Sequence, residues 1–65
     1  MKERKRYRVI ENSIHIVLET NCKLEAENCW REAHRQNDTK FHEVYELIDG
    51  HYEGICQFAP GDKVR

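Results

Sequence analysis

The side chains able to do chemistry are few: Ser13, the histidines 15, 34, 42 and 51, and the cysteines 22, 29 and 56. Ser13 is the only serine and follows Asn12 in a stretch that reads as a turn. No His or acid stands at a spacing that would give it a base. There is no glycine-rich phosphate loop. The cysteines contain no Cys-x-x-Cys, and the histidines lack the short spacing of a zinc pair. Three inward cysteines could meet around zinc, or they could pack as small hydrophobes. Their odd number, without an export signal, fits reduced thiols in a core. If all three face inward, none is a reactive thiolate. No assembly here meets the geometric requirements of an active site. The chain therefore reads as non-enzymatic, with no metal and no cofactor.

Charge offers a different lead. The net charge is −1, but the first eight residues hold five positive side chains and one negative. Lys2, Arg4, Lys5, Arg6 and Arg8 form a basic start that could follow phosphates. Against this, the arginines alternate at strand spacing, and no recognition helix or aromatic stacking platform accompanies them.

The elements that must position these groups are legible in outline. At 65 residues, 38% hydrophobic and 35% charged, the chain has the length and composition of one small globular domain. A domain so short buries only about 60% of the surface its unfolded chain exposes. No apolar run is long enough to cross a bilayer, and the basic start lacks the apolar core of a signal peptide. A cytoplasmic protein with no membrane partner is expected.

Residues 20–37 hold the one convincing helix. Cys22, Ala26, Cys29, Trp30 and Ala33 fall on one stripe at 100° per residue, with Trp30 as its single large anchor. Thr20 or Asn21 is the expected N-cap, and Asn37 is expected to end the helix in the left-handed conformation. Leu24 lies off the stripe.

Residues 4–11 and 14–20 read as a hairpin around a two-residue Asn12-Ser13 turn. That register pairs Tyr7 with Leu18, Val9 with Ile16 and Arg6 with Glu19. Residues 41–48 and 51–58 read as a second hairpin around Asp49-Gly50, whose φ > 0 pair suits a type I′ turn. An unbroken register then sets Phe41 opposite Phe58, Val44 opposite Ile55, Tyr45 opposite Gly54 and Leu47 opposite Tyr52. The fold class is α+β with order ββαββ: one four-stranded, mostly antiparallel sheet with a single helix on one face. One domain spans 1–65, with frayed ends at 1–3 and 60–65.

This register puts Phe41, Tyr45, Leu47, Tyr52, Cys56 and Phe58 toward the helix. The outer face receives Arg4, Arg6, Arg8, His15, Glu19, His42, Glu46, His51, Glu53 and Gln57, interrupted by Ile10, Val17, Val44, Ile48 and Ile55. Glu46 and Glu53 oppose one another there and need a compensating cation, which the arginines of the first strand could supply. A solvated face with cross-strand ion pairs is the plain reading. Five aliphatic residues favour a partner surface instead. It would consist of Arg6, Arg8, Ile10, Val17, Val44, Glu46, Ile48, Glu53 and Ile55.

The expected function is thus a small regulatory interaction module acting through protein–protein contacts, as a homodimer and with another protein. The alternative is a nucleic-acid-binding protein using Lys2, Arg4, Lys5, Arg6 and Arg8.

Overall fold

A computed structural model describes residues 4–64. Strands β1 (Tyr7–Glu11) and β2 (His15–Thr20) precede helix α1 (Lys23–Gln36), and strands β3 (His42–Ile48) and β4 (His51–Phe58) follow it. The four strands form one sheet in the order β2-β1-β3-β4, with every neighbouring pair antiparallel. The helix lies across β1, β2 and β3. The ββαββ arrangement expected from the sequence is the one observed.

The second hairpin turns where expected. Asp49 and Gly50 both have positive φ, 50° and 86°, and Ile48 pairs with His51. The first turn is one residue longer than expected. Asn12 and Ser13 take positive φ, the Ile14 amide donates to the Glu11 carbonyl at 3.3 Å, and β2 begins at His15. The longer turn moves the register. Tyr7 now faces Thr20, Val9 faces Leu18, and Arg8 rather than Arg6 faces Glu19. The register shifts again between Val9 and Ile10, leaving Val17 without an opposite residue, as a β-bulge does.

A second irregularity has larger consequences. Tyr45 faces Gly54 as expected, but Val44 faces Cys56, so Ile55 is the extra residue. Past this bulge, His42 rather than Phe41 opposes Phe58. The central strands also meet with Val9 opposite Val44 and Glu11 opposite His42. The helix-facing side of β3 is therefore His42, Val44, Glu46 and Ile48. The expected assignment of β3 was inverted.

The core is Tyr7, Val9, Ala26, Trp30 and Val44, with Leu18, Cys29, Cys56 and Phe58 packed against it. Trp30 is its anchor. Its ring stacks on Phe58 with centroids 4.2 Å apart, and its Nε1–H donates to the His42 carbonyl at 2.8 Å. Truncating a buried tryptophan costs about 3–5 kcal/mol, a large share of what a small domain has.

Three details of the helix differ from expectation. Cys22 occupies the N-cap position without a side-chain cap bond, while the Thr20 hydroxyl accepts from the Cys22 amide at 3.1 Å. Asn21 is drawn away to accept from the Arg6 amide at 2.9 Å. Asn37 ends the helix at φ −152°, extended rather than left-handed, and its amide donates to the Ala33 carbonyl. Cys22 is exposed, so the three cysteines do not all point inward.

The C-terminal segment, expected to fray, has partners as far as it is described. The Gly61 amide donates to the Asp38 carbonyl at 2.7 Å, and the Ala59 amide to the Asp62 carboxylate at 2.8 Å. The expectation of fraying at residues 1–3 and at residue 65 falls outside the described residues.

Candidate functional site

With the helix on one side of the sheet, the opposite side is open. Alternation along the observed registers assigns Arg8, Ile10, Ile16, Glu19, Glu43, Tyr45, Leu47 and Tyr52 to it. At its centre the Arg8 guanidinium sits 4.0 Å from the centroid of the Tyr52 ring. The same side chain donates to Glu19 at 2.8 Å. Arg4 approaches the Tyr52 ring at 5.8 Å and donates to the Gly50 carbonyl at 2.8 Å. The Tyr52 hydroxyl donates to the Lys5 carbonyl. The basic start is thus folded onto the second hairpin and does not stand free as an arm from Arg4 onward.

Tyr45 lies over Gly54, where a Cβ would meet the ring at 3.6 Å. Its hydroxyl donates to Glu43 at 3.2 Å. Burial, reinforced by the Glu43 charge, pushes its pKa above the ordinary tyrosine value, so the phenol stays a neutral donor. At the β4 edge, Glu43, Gly54, Ile55, Cys56 and Gln57 line a shallow depression of about 240 Å³.

The expected partner-binding residues divide. Arg8 and Ile10 are on the open face as expected. Val17 and Ile55 are the bulge residues of the two edge strands, 38% and 37% exposed. Val44 is wholly buried in the core, opposite Val9, and contributes nothing to a surface. Glu46 and Ile48 share the helix-facing side of β3 with it. Glu53 is exposed at the edge, where the His51 ring lies 3.1 Å from its carboxylate. Two histidines expected on the outer face lie elsewhere: His42 is fully buried, and His15 pairs opposite Glu11 with its ring 3.3 Å from that carboxylate.

Glu46 and Glu53 do face each other, and the compensating cation is present in the same chain. Arg6 meets Glu46 at 2.9 Å, and the Tyr7 hydroxyl donates to that carboxylate at 3.4 Å. The already high pKa of Arg6 is raised further, with the Glu46 hydrogen bond as the largest cause and further electrostatic support from Tyr7 and Glu46. A second copy is not needed to relieve this conflict. Of the basic residues considered for nucleic acid, Arg4, Arg6 and Arg8 are placed by these side-chain contacts, Lys5 takes part through its carbonyl, and Lys2 lies outside the described residues.

Ile16, Glu43, Tyr45, Leu47 and Tyr52 are the open-face residues that sequence reasoning missed. Ile16, expected to face inward opposite Val9, instead lies opposite Ile10 because of the longer first turn. With Cys56 and Phe58 correctly turned inward, an unbroken hairpin drags Tyr45, Leu47 and Tyr52 inward with them. The bulge at Ile55 releases them. The one sequence hint was Val44, a β-branched residue able to pair with Val9 once β1 and β3 are neighbours.

Ser13 donates to Glu43 at 3.4 Å from its turn. Among the described residues, no group of three or more His, Cys, Asp or Glu side chains is placed to hold a metal ion. No helix among the described residues is long and apolar enough to cross a membrane. No family model, no curated protein and no solved structure matches the chain.

Proposed function

We propose that this protein is a small non-enzymatic interaction module that binds a protein partner through the open face of its sheet. The observation that carries the reading is the uncovered cluster of Ile10, Ile16, Tyr45, Leu47 and Tyr52 around Arg8. Tyrosine and arginine are enriched where protein interfaces draw their energy, and an apolar centre with a charged margin is the common interface anatomy. Glu19 and Glu43 at the margin give the face both signs of charge, which suits a protein better than a polyanion. Self-association remains one form of this reading. It has lost the support of a Glu46–Glu53 conflict, which Arg6 relieves within one chain.

A second reading has a specific observation behind it. Tyr45 and Tyr52 on an open four-stranded sheet, with Arg4 and Arg8 beside Tyr52, supply the aromatic platform that single-stranded nucleic acid uses. One experiment separates the two. The wild type and the variants Ile16→Asp and Leu47→Asp are used to capture partners from lysates of the source cells, with and without nuclease. The expected result is a nuclease-resistant protein retained by the wild type and lost from both variants, whose melting temperatures stay close to wild type. Nuclease-sensitive capture supports the second reading. No capture, with a monomer in sedimentation, means the face is merely solvated.

A further inference from the structure

His34 near the end of α1 and His42 at the start of β3 are both fully buried, and their Nδ1 atoms are 2.7 Å apart. Each ring has a second partner. His42 Nε2 lies 3.1 Å from the Glu11 carboxylate, and His34 Nε2 lies 2.9 Å from the Asp62 carbonyl. The four groups form one chain of three hydrogen bonds, and each bond requires one proton. A carbonyl only accepts, so His34 Nε2 carries a hydrogen. The two facing Nδ1 atoms hold one between them. The third lies between His42 and Glu11.

Two neutral imidazoles supply only two N–H groups. The third proton therefore makes the pair a shared cation against an ionised Glu11, or rests on Glu11 itself. The surroundings decide for the first. His15 Nδ1 at 3.3 Å and Lys40 Nζ at 3.5 Å converge on the other oxygen of Glu11. The faces of the pair suit a cation as well. Phe58 stacks on His34 at 4.7 Å and presents the negative face of its ring. Arg31 of α1 lies over Trp30 at 5.7 Å, and the Asp62 carboxylate accepts from the Ala59 amide at 2.8 Å.

We propose that His34 and His42 share one excess proton, and that this proton clasps the C-terminal turn to the end of the helix as a pH-sensitive latch. Loss of that proton leaves two protons for three bonds. The Glu11 bond is charge-assisted and the Nδ1–Nδ1 bond is sealed in the core. The bond given up is the one to the Asp62 carbonyl, an exposed residue's acceptor that water can satisfy. The turn at residues 59–62 then detaches from α1. Gain of a second excess proton sets two N–H donors against each other and opens the pair from the acid side.

The test uses protein labelled with nitrogen-15 at histidine, followed by NMR from pH 5 to 9. At neutral pH the buried pair should show three protons on four ring nitrogens. The amide protection factor of Gly61, which donates to the Asp38 carbonyl, should fall at least tenfold as the shared proton leaves on raising the pH. His34→Gln keeps a donor for Asp62 and removes the titrating ring, so its Gly61 protection should not vary with pH. Two protons on the four nitrogens at neutral pH, or wild-type protection that ignores pH, overturns the proposal. The wild-type measurement decides the matter even if the variant does not fold.

Discussion

At the scale of single residues, the cysteines show how burial rather than residue type sets reactivity. Burial, followed by the Glu25 charge, pushes the Cys29 thiol above its ordinary pKa. Burial, followed by Glu27, does the same for Cys56, with Lys23 and Arg31 opposing. Cys22 stands exposed before the helix. A thiol reagent applied to the native protein should therefore modify one site quickly. Cys22 is expected to label roughly tenfold faster than the other two, because only the accessible thiolate reacts. Mass spectrometry of partly labelled protein checks this. Equal rates at all three sites would mean that the core under α1 is open. The sequence marked these residues as small and apolar enough for a core. It could not show that the helix would begin one residue after Cys22 and leave that thiol outside.

At the scale of elements, the second hairpin is held by its turn and reshaped by its bulge. Gly50 has φ +86°, which a residue with a Cβ adopts at a cost of about 1–2 kcal/mol. Gly54 has no such requirement, and an added Cβ would meet the Tyr45 ring at an ordinary 3.6 Å. The two glycines should respond differently to the same change. Gly50→Ala should lower the melting temperature by several degrees, since about 1 kcal/mol moves a domain of this size by about 4–8 °C. Gly54→Ala should leave it within a few degrees or raise it, because alanine narrows the unfolded ensemble. Thermal melts followed by circular dichroism decide. Equal losses would mean that Gly54 is needed for the close approach of Tyr45. Asp49-Gly50 was legible because that dipeptide answers a local steric demand. The bulge at Ile55 follows Gly54, and a glycine inside a strand marks either a bulge or a close approach such as that of Tyr45, so residues 51–58 alone did not decide between the two.

At the scale of the whole molecule, Glu11 ties the sheet to the helix end and the loops. Its carboxylate receives His15, His42 and Lys40. Hydrogen bonds from His15 and then His42 hold its pKa below the ordinary glutamate value, against the opposing effect of burial. A lowered folded pKa means that this stabilisation is complete above the unfolded value, about 4.3, and is lost as pH falls through the folded one. Glu11→Gln has already lost it at pH 7. The variant should be less stable than wild type at neutral pH, and the difference should shrink toward pH 2. Urea unfolding at stepped pH measures both curves. Parallel curves down to pH 2 would show that Glu11 is not held as an anion by these partners.

The sequence by itself determined the elements, their order and the fold class, because these rest on local rules. Helical spacing singled out Ala26 and Trp30, β-branched runs marked the strands, and Asp49-Gly50 set a turn. Strand order and the facing of β3 were decided only in the tertiary structure. Both sides of β3 carry apolar residues, Val44 and Ile48 on one and Tyr45 and Leu47 on the other. Alternation alone therefore cannot choose between them. The choice fell to Val9 pairing with Val44 across the centre of the sheet and to the extra residue at Ile55. The buried His34–His42 pair was also out of reach of the sequence. Its two rings come from different elements eight residues apart, and they meet because Trp30 and Phe58 hold helix end and strand end together. A one-residue change of register turns a strand over, so the identity of the open face is a property of the assembled sheet.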